Sequence, residues 1–309
     1  MRRHDGPLLR TEPPTLAGIQ FPFLSLPMCD APPFGVSMKG PLPIFIISYN
    51  RGAFLEQVIN SYNQLDWPVQ IIIHDNGSDD SDTLRSLDRL EANDCIVYRR
   101  QKIKKPDDLN NTNETIQEFF RDCAGSSRYA VTDCDIDLSI AKPNVLELYD
   151  ELLDLFPAIQ CVGPMLRIRD ISDGYPLFNS VMTRHIEQFW RKMPDWIETK
   201  YGRVATIACH IDTSFALHRA GDPFFKQKIA RRVYHPYEAQ HLDWYYGPIS
   251  YCRSPYFHTS SGAISHWNNK QTHERFAKED MRFDHFIYVD EDDSGRLVEK
   301  THYVTRVAT

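Results

Sequence analysis

Tyr129-Ala130-Val131-Thr132-Asp133-Cys134-Asp135-Ile136-Asp137 joins a short apolar stretch to three carboxylates at alternate positions. The apolar part predicts a buried strand, and alternate side chains of a strand point to the same face. Asp133, Asp135 and Asp137 therefore either project together or fan out where the strand opens into a loop. Clustered carboxylates repel one another unless a cation lies between them, and oxygen-rich sites suit Mg²⁺ or Mn²⁺. The stretch is a candidate site for a metal ion and a diphosphate, with a solvated acidic loop as the alternative.

Two strand-and-helix units precede this stretch in the chain. The apolar run Ile44–Ile47 ends in Ser48-Tyr49-Asn50-Arg51, and apolar residues at helical spacing follow. The run Val69–His74 ends in Asp75-Asn76-Gly77-Ser78, before a second helical pattern. A third short run, 95–98, comes next. Alternating strands and helices predict a parallel α/β sheet with right-handed crossovers.

The polar strand ends are expected to meet, because ligands of parallel α/β sheets bind at the carboxyl ends of the strands. Asp75 could accept a hydrogen bond from a nucleobase imide N–H, Tyr49 could pack on a base, and Arg51 could contact a phosphate. Each also has a structural alternative: Asn76-Gly77 is an ordinary turn, and Ser78 is an ordinary helix cap.

The second half of the chain predicts fewer regular elements. A helix is expected over 145–156 and a strand over 160–166, after which the sequence is irregular and rich in aromatic residues. Residues 286–289 and the segment from Arg296 onward predict a β-hairpin. We expect a Pro-rich extension over 1–40 and one domain over 41–309, divided into halves at residue 140.

Composition narrows the class of protein. The 309 residues carry a formal net charge of -7, so nothing global indicates nucleic-acid binding. The seven cysteines are odd in number and form no CxxC pair, which favours reduced thiols and a cytoplasmic protein. No apolar run reaches the length of a membrane span, whereas peripheral association with a membrane stays open.

Taken in order, these motifs resemble the nucleotide-sugar glycosyltransferases of the GT-A fold, especially those of family 2. The matching segments are Ile47–Arg51, His74–Asp80 and Thr132–Asp135. The second half resembles a bacterial subgroup through Ile211–Leu217 and His241–Tyr245. The resemblance implies a Rossmann-like, mostly parallel sheet with helices on both faces, followed by an acceptor-binding region.

The resemblance also implies roles for the matching residues. Asp75 would recognise the base, usually uracil, and Asp133 and Asp135 would be the DxD pair that holds Mn²⁺ or Mg²⁺. The other nucleotide contacts would come from Ser48, Tyr49, Asn50, Arg51 and Asn76. The implied reaction is inverting transfer of a sugar from a UDP-sugar to a hydroxyl acceptor such as a growing glycan. Negative charge develops on the departing diphosphate, and a divalent ion neutralises it.

Inverting transfer needs a carboxylate base for the acceptor hydroxyl. Asp212 is the first candidate, at the start of an expected strand, and Asp243 is the second. The family's usual base belongs to an acidic Glu-Asp pair, which this chain lacks at His241-Leu242-Asp243-Trp244. His266 matches a late histidine that completes the metal shell in some GT-A enzymes.

Three other classes compete with this interpretation. Phosphatases of the haloacid dehalogenase type also carry DxD after an apolar strand. In those enzymes the fourth residue after the first Asp is usually Thr or Val, whereas here the fourth residue after Asp133 is Asp137. An EF-hand needs Gly and Glu where this chain has Leu138 and Asn144. A non-catalytic nucleotide-binding or sugar-binding protein on the same fold is the third alternative.

Overall fold

The structure of the protein, a computed structural model, describes residues 40–102, 111–123, 125–225, 228–245 and 274–304. The strands of the first half are β1 (Leu42–Ser48), β2 (Val69–Asp75), β3 (Ile96–Arg99), β4 (Arg128–Asp133) and β5 (Ile136–Asp137). Those of the second half are β6 (Cys161–Pro164), β7 (Asp195–Thr199), β8 (Gly202–Ile211), β9 (Ala216–Arg219), β10 (Lys228–Val233), β11 (Gln240–His241), β12 (His285–Glu291) and β13 (Leu297–Tyr303). The helices are α1 (Gly52–Tyr62), α2 (Ser81–Glu91), α3 (Thr112–Asp122), α4 (Val145–Leu155) and α5 (Phe178–His185).

Nine strands form one sheet in the order β3-β2-β1-β4-β9-β6-β10-β8-β7. Only β8 and β9 run against the other strands of this sheet, so it is mostly parallel, as the sequence predicts. The chain proceeds outward from β1 through β2 to β3 and then returns to place β4 on the other side of β1. The carboxyl ends of β1 and β4 therefore flank a topological switch point, where open α/β sheets bind their ligands.

Strand β1 organises the core on both faces of the sheet. All seven of its residues are buried. Ile44 and Ile46 pack in the layer that contains α1 and α4, whereas Phe45 and Ile47 pack in the layer that contains α3. The ring of Phe45 meets that of Phe119 edge to face at 5.5 Å. The alternation of a strand thus places helices on both faces, as predicted.

The second half is more regular than its sequence indicates. Strands β7, β8, β9 and β10 all lie between residues 195 and 233, where we predicted irregular chain apart from one strand starting at Asp212. Strand β10 is hard to recognise because it buries Arg231 and Arg232. Burial of Arg232 is compensated by hydrogen bonds, including one from Nη1 to the carbonyl of Pro164 at 2.8 Å.

Two smaller ribbons accompany this sheet in the described part of the chain. Strands β12 and β13 pair antiparallel, which confirms the predicted hairpin, and Gly295 takes a positive φ of 77° in its turn. Strands β5 and β11 form a two-residue antiparallel ribbon that joins the Asp-rich segment to the second half. No helix in the described ranges is long and apolar enough to cross a membrane.

Candidate functional site

Backbone pairing brings the predicted strand ends side by side. Ser48 at the end of β1 pairs with Asp75 at the end of β2. On the other flank of β1, Ile47 pairs with Asp133 at the end of β4. Paired residues that are 27 and 86 positions apart in the sequence thus lie at one sheet edge. The convergence that the sequence predicts for this edge is present in the structure.

Asn50 ties the loop after β1 to the loop after β2. Its backbone takes a positive φ of 48°, and its N–H donates to Oγ of Ser78 at 2.9 Å. Its amide donates to Oδ1 of Asp79 at 2.7 Å and accepts from the backbone N–H groups of Asp79 and Asp80 at 2.9 and 3.1 Å. Asn50 therefore supports the site through the neighbouring loop.

Asp75 is buried within its own turn. Its carboxylate accepts from the backbone N–H of Ser78 at 2.9 Å and from the hydroxyl of the same residue at 2.5 Å. Burial raises the pKa of Asp75, and the hydrogen bonds from Ser78 oppose that rise. Gly77 has a φ of 75°, and a Cβ there would lie 2.6 Å from the backbone nitrogen of Lys102. The turn thus packs closely against the chain that follows β3.

Tyr49 and Asn76 take different positions beside Asp75. The ring of Tyr49 lies under the Lys102 ammonium, with Nζ 4.9 Å from the ring centroid. The side chain of Asn76 is buried, and its Oδ1 lies 3.1 Å from Nε2 of His74. Nδ1 of His74 contacts the hydroxyl of Thr115 at 2.8 Å. Asn76 therefore contacts this internal network through its side chain, and Tyr49 lies beside a cation.

Arg51 connects two carboxylates at the switch point. Its Nη1 donates to Oδ2 of Asp135, and its Nη2 lies 3.6 Å from Oδ1 of Asp243. The exposed fractions of the three side chains are 9%, 5% and 8%, so the charges are largely removed from water. The hydroxyl of Tyr175 donates to Oδ2 of Asp243 at 3.4 Å. Asp243, from the distant second half, is thereby brought into the same network as Asp135.

The three carboxylates of the Asp-rich segment fan out. Asp133 accepts from the hydroxyl of Thr213, and its backbone N–H donates to the carbonyl of the same residue at 2.7 Å. Asp137 turns toward α1, where it accepts from Nε2 of Gln57 at 3.1 Å. The segment does not continue as one strand: β4 ends at Asp133, a turn follows, and β5 begins at Ile136. Only Asp133 and Asp135 face the switch point.

The ribbon of β5 and β11 places His241 beside Asp135. Leu242 donates its backbone N–H to the carbonyl of Asp135 at 2.8 Å. Nδ1 of His241 lies 3.7 Å from Oδ2 of Asp135, and its ring stacks on Trp244 at 4.4 Å with an interplanar angle of 3°. The sequence motifs did not single out His241 as a site residue, although it begins the segment that resembles the bacterial subgroup and that carries Asp243.

The other predicted residues have the following positions. We expected a strand to begin at Asp212, and this prediction is wrong. Asp212 lies in the connection between β8 and β9. Its Oδ1 accepts from the backbone N–H and the hydroxyl of Ser214 at 3.2 and 3.1 Å. The neighbouring residue Thr213 is the one that contacts Asp133. His266 lies outside the described residues.

The donors at this edge suit a hard divalent cation in part. Carboxylate oxygens from Asp133 and Asp135 are ligands that Mg²⁺ and Mn²⁺ accept. Among the residues described, no group of three or more His, Cys, Asp or Glu is arranged to hold a metal ion. Sites in which substrate phosphates complete the coordination need only one or two protein carboxylates. The chemistry of the donors therefore fits a cation that binds together with a diphosphate.

Comparisons with known proteins give similarity of structure only. No protein-family model and no curated protein matches the sequence. Among solved structures, the chain is similar to the mannosyltransferase PcManGT from Pyrobaculum calidifontis in complex with GDP-Man and Mn²⁺. That match has 14% identity and a TM-score of 0.37, and it covers 59% of this chain and 45% of the other.

It is also similar to S. aureus TarS 1-349 in complex with UDP-GlcNAc. Here the identity is 15% and the TM-score 0.32, with 41% of this chain and 35% of that chain covered. A second TarS structure has 12% identity and a TM-score of 0.35, with 58% and 28% covered. The chain thus spans less than half the length of each of these structures, and the similarity does not establish its activity.

Proposed function

We propose that this protein is a glycosyltransferase that transfers a sugar from a nucleotide-sugar donor to a hydroxyl acceptor. The observation that carries the proposal is the register at the switch point, which places Ser48, Asp75 and Asp133 side by side. A buried carboxylate that would suit a nucleobase and a carboxylate pair that would suit a diphosphate thereby lie at one sheet edge.

The nucleotide would bind across the ends of β2, β1 and β4. Asp75 would accept the imide N–H of a uracil base, and Ser78 would hold the carboxylate in place. Tyr49 and Lys102 lie next to this turn, where they could contact the base or the ribose. Asp133, at the end of β4, would contact the ribose or the waters around the cation. UDP is the nucleotide that this arrangement favours.

The diphosphate would lie between Arg51 and the Asp133/Asp135 pair. A divalent cation bound there with the diphosphate would neutralise the charge that develops as the nucleoside diphosphate departs. Arg51 would hold a phosphate oxygen by a charge-assisted hydrogen bond once it moves from Asp135. Mn²⁺ or Mg²⁺ suits the oxygen donors on the chain.

The acceptor hydroxyl would be deprotonated by one of two carboxylates. Asp243 has the closer link to the donor side, because Arg51 contacts both its carboxylate and that of Asp135. The guanidinium and the hydroxyl of Tyr175 orient Asp243. Asp212 is the alternative, since it lies next to the Thr213 that contacts Asp133. A base on the face opposite the leaving group gives inversion.

The proposal is tested by ligand binding followed by turnover. Thermal shift with UDP, GDP, CDP and their sugars, with Mn²⁺ or with EDTA, identifies the donor, because a bound ligand raises stability by mass action. We expect UDP to give the largest shift and EDTA to reduce it. Release of UDP from the selected UDP-sugar then separates an enzyme from a non-catalytic binder. If no nucleotide raises the melting temperature, the proposal is wrong.

A further inference from the structure

His241 carries a buried nitrogen that the rest of the site does not explain. Its Nδ1 is inaccessible to solvent and has no hydrogen-bond partner within the described part of the chain. The atom faces Oδ2 of Asp135 at 3.7 Å, which is too long for a hydrogen bond. A buried nitrogen without a partner costs free energy, so its retention beside a carboxylate calls for a ligand.

The backbone fixes this arrangement from both sides. His241 pairs with Ile136 in the ribbon of β5 and β11, and Leu242 bonds the carbonyl of Asp135. Stacking on Trp244 holds the plane of the imidazole. The distance between Nδ1 of His241 and Oδ2 of Asp135 is therefore set by the pairing of the two strands and by the packing of the imidazole on Trp244.

The separation has the size of a gap bridged by one cation. Two ligands that each lie about 2.1 Å from an ion are about 3.0 to 3.6 Å apart at bond angles of 90 to 120° and somewhat more at wider angles. The 3.7 Å between Nδ1 and Oδ2 is close to that range. Imidazole and carboxylate together suit a transition metal such as Mn²⁺ better than they suit Ca²⁺.

Arg51 contacts the same oxygen of Asp135. A guanidinium and a divalent cation repel each other, so a cation at this position requires Arg51 to move. The diphosphate of the donor is the group that would draw Arg51 away. The cation and the diphosphate should therefore bind together.

We infer that His241 is a protein ligand of the divalent cation and that it binds the ion jointly with Asp135. The inference rests on the proposed function, because the diphosphate supplies the remaining oxygens. It assigns the nitrogen ligand to the end of β11, directly before the turn that carries Asp243, whereas the family resemblance assigns it to His266. The cation would then connect the first half of the chain directly to the candidate base.

The test is pulsed electron paramagnetic resonance of Mn²⁺ in frozen solutions that contain the wild-type protein, UDP and Mn²⁺ at saturating concentration. A coordinated imidazole gives a ¹⁴N coupling to Mn²⁺, which changes when histidine is labelled with ¹⁵N. We expect this coupling in the wild type and its loss in His241→Phe, which keeps an aromatic ring on Trp244. His241→Gln provides a second variant in case the first does not fold. The exposed His285→Phe is the matched control and should retain the coupling.

The expected loss of Mn²⁺ affinity in His241→Phe is at least about 10-fold, the smallest effect seen when even an outer-shell partner is removed. Persistence of the nitrogen coupling in both His241 variants, or its absence from the wild type, would overturn the inference. Coupling lost in His266→Phe alone would also overturn it. If the protein binds UDP and turns over a UDP-sugar despite any of these outcomes, the inference about His241 is wrong but the proposed function is retained. Nitrogen coupling without turnover of any nucleotide-sugar would leave the inference standing and the proposed function wrong.

Discussion

Arg51, three residues after the end of β1, forms a buried ion pair with Asp135, two residues after the end of β4. The guanidinium also reaches Asp243, so one cation compensates two buried carboxylates. The sequence alone indicated three acidic side chains that repel one another unless a metal ion lies between them. In the structure these three side chains fan out, and a cation of the chain itself, Arg51, pairs with Asp135.

The ion pair makes the stability cost of removing Arg51 larger than that of removing Asp135. Arg51→Met leaves Asp135 and Asp243 buried without their cation, and loss of one member of a buried pair costs about 3 to 5 kcal/mol. Asp135→Asn is milder, because Arg51 keeps Asp243 at 3.6 Å. Urea denaturation measures both variants. Equal destabilisation would mean that Asp243 does not share the guanidinium.

Asp135→Asn is nevertheless expected to abolish sugar transfer. The neutral amide no longer offers the charged oxygen that a cation and a diphosphate require. The fold should persist, since the backbone contact between Asp135 and Leu242 does not involve the side chain. Turnover of the donor selected by thermal shift, together with a melting curve, provides the measurement. Full activity in a folded Asp135→Asn variant contradicts a role in donor binding.

Asp75 is expected to set nucleotide affinity. Asp75→Ala removes one charge-assisted hydrogen bond to the base, worth about 1.5 to 3 kcal/mol, and so weakens UDP binding roughly 10- to 100-fold. Ser78→Ala is the matched control, because it removes a hydrogen bond that holds Asp75 but leaves the carboxylate. It should cost about 1 kcal/mol of binding. Calorimetry with UDP and with inorganic diphosphate distinguishes base recognition, since diphosphate binding should be unchanged in both variants.

The two candidate bases are distinguished by transfer rates. Asp243→Asn should retain UDP-sugar affinity within a few-fold and lose most turnover, because a base acts on the acceptor. Asp212→Asn should be milder, since the Oδ1 of Asp212 is engaged by Ser214. Donor binding and transfer rate are measured for both variants with the same acceptor. The reverse pattern would assign the base to Asp212, the first candidate from the sequence, and normal transfer in both would exclude the pair.

His74 should make the protein less stable in acid. Burial lowers the pKa of His74 from 6.5 to about 4, so the folded protein keeps this imidazole neutral between those values while the unfolded chain takes up a proton. Its contribution to stability is complete above pH 6.5 and falls as the pH decreases toward 4, by at most about 3 kcal/mol.

The His74→Gln variant should therefore lose less stability between pH 7 and pH 4.5 than the wild type does. The exposed His285→Gln should follow the wild type over the same range. Urea denaturation at several pH values provides the comparison. A wild-type slope in His74→Gln would show that the acid sensitivity comes from other histidines, such as the buried His185, whose pKa burial also lowers.

The sequence by itself determined the first half of the fold and which of its residues meet. Apolar runs that end in polar residues identify β1, β2 and β4, and the alternation with helices implies that these strands are parallel. Parallel strands end at the same edge, so the meeting of Ser48, Asp75 and Asp133 follows without knowledge of any side-chain contact. These signals are local, and the rule that combines them is general.

Tertiary structure alone decided what each site residue touches. The contacts of Arg51 with Asp135 and of His241 with Asp135 span 84 and 106 positions of the chain. They depend on the turn after β4 and on the register of a two-residue ribbon, which no periodicity in the sequence records. Strand β10 escaped prediction for a related reason, because its buried arginines are compatible with a core only once their distant hydrogen-bond partners are in place.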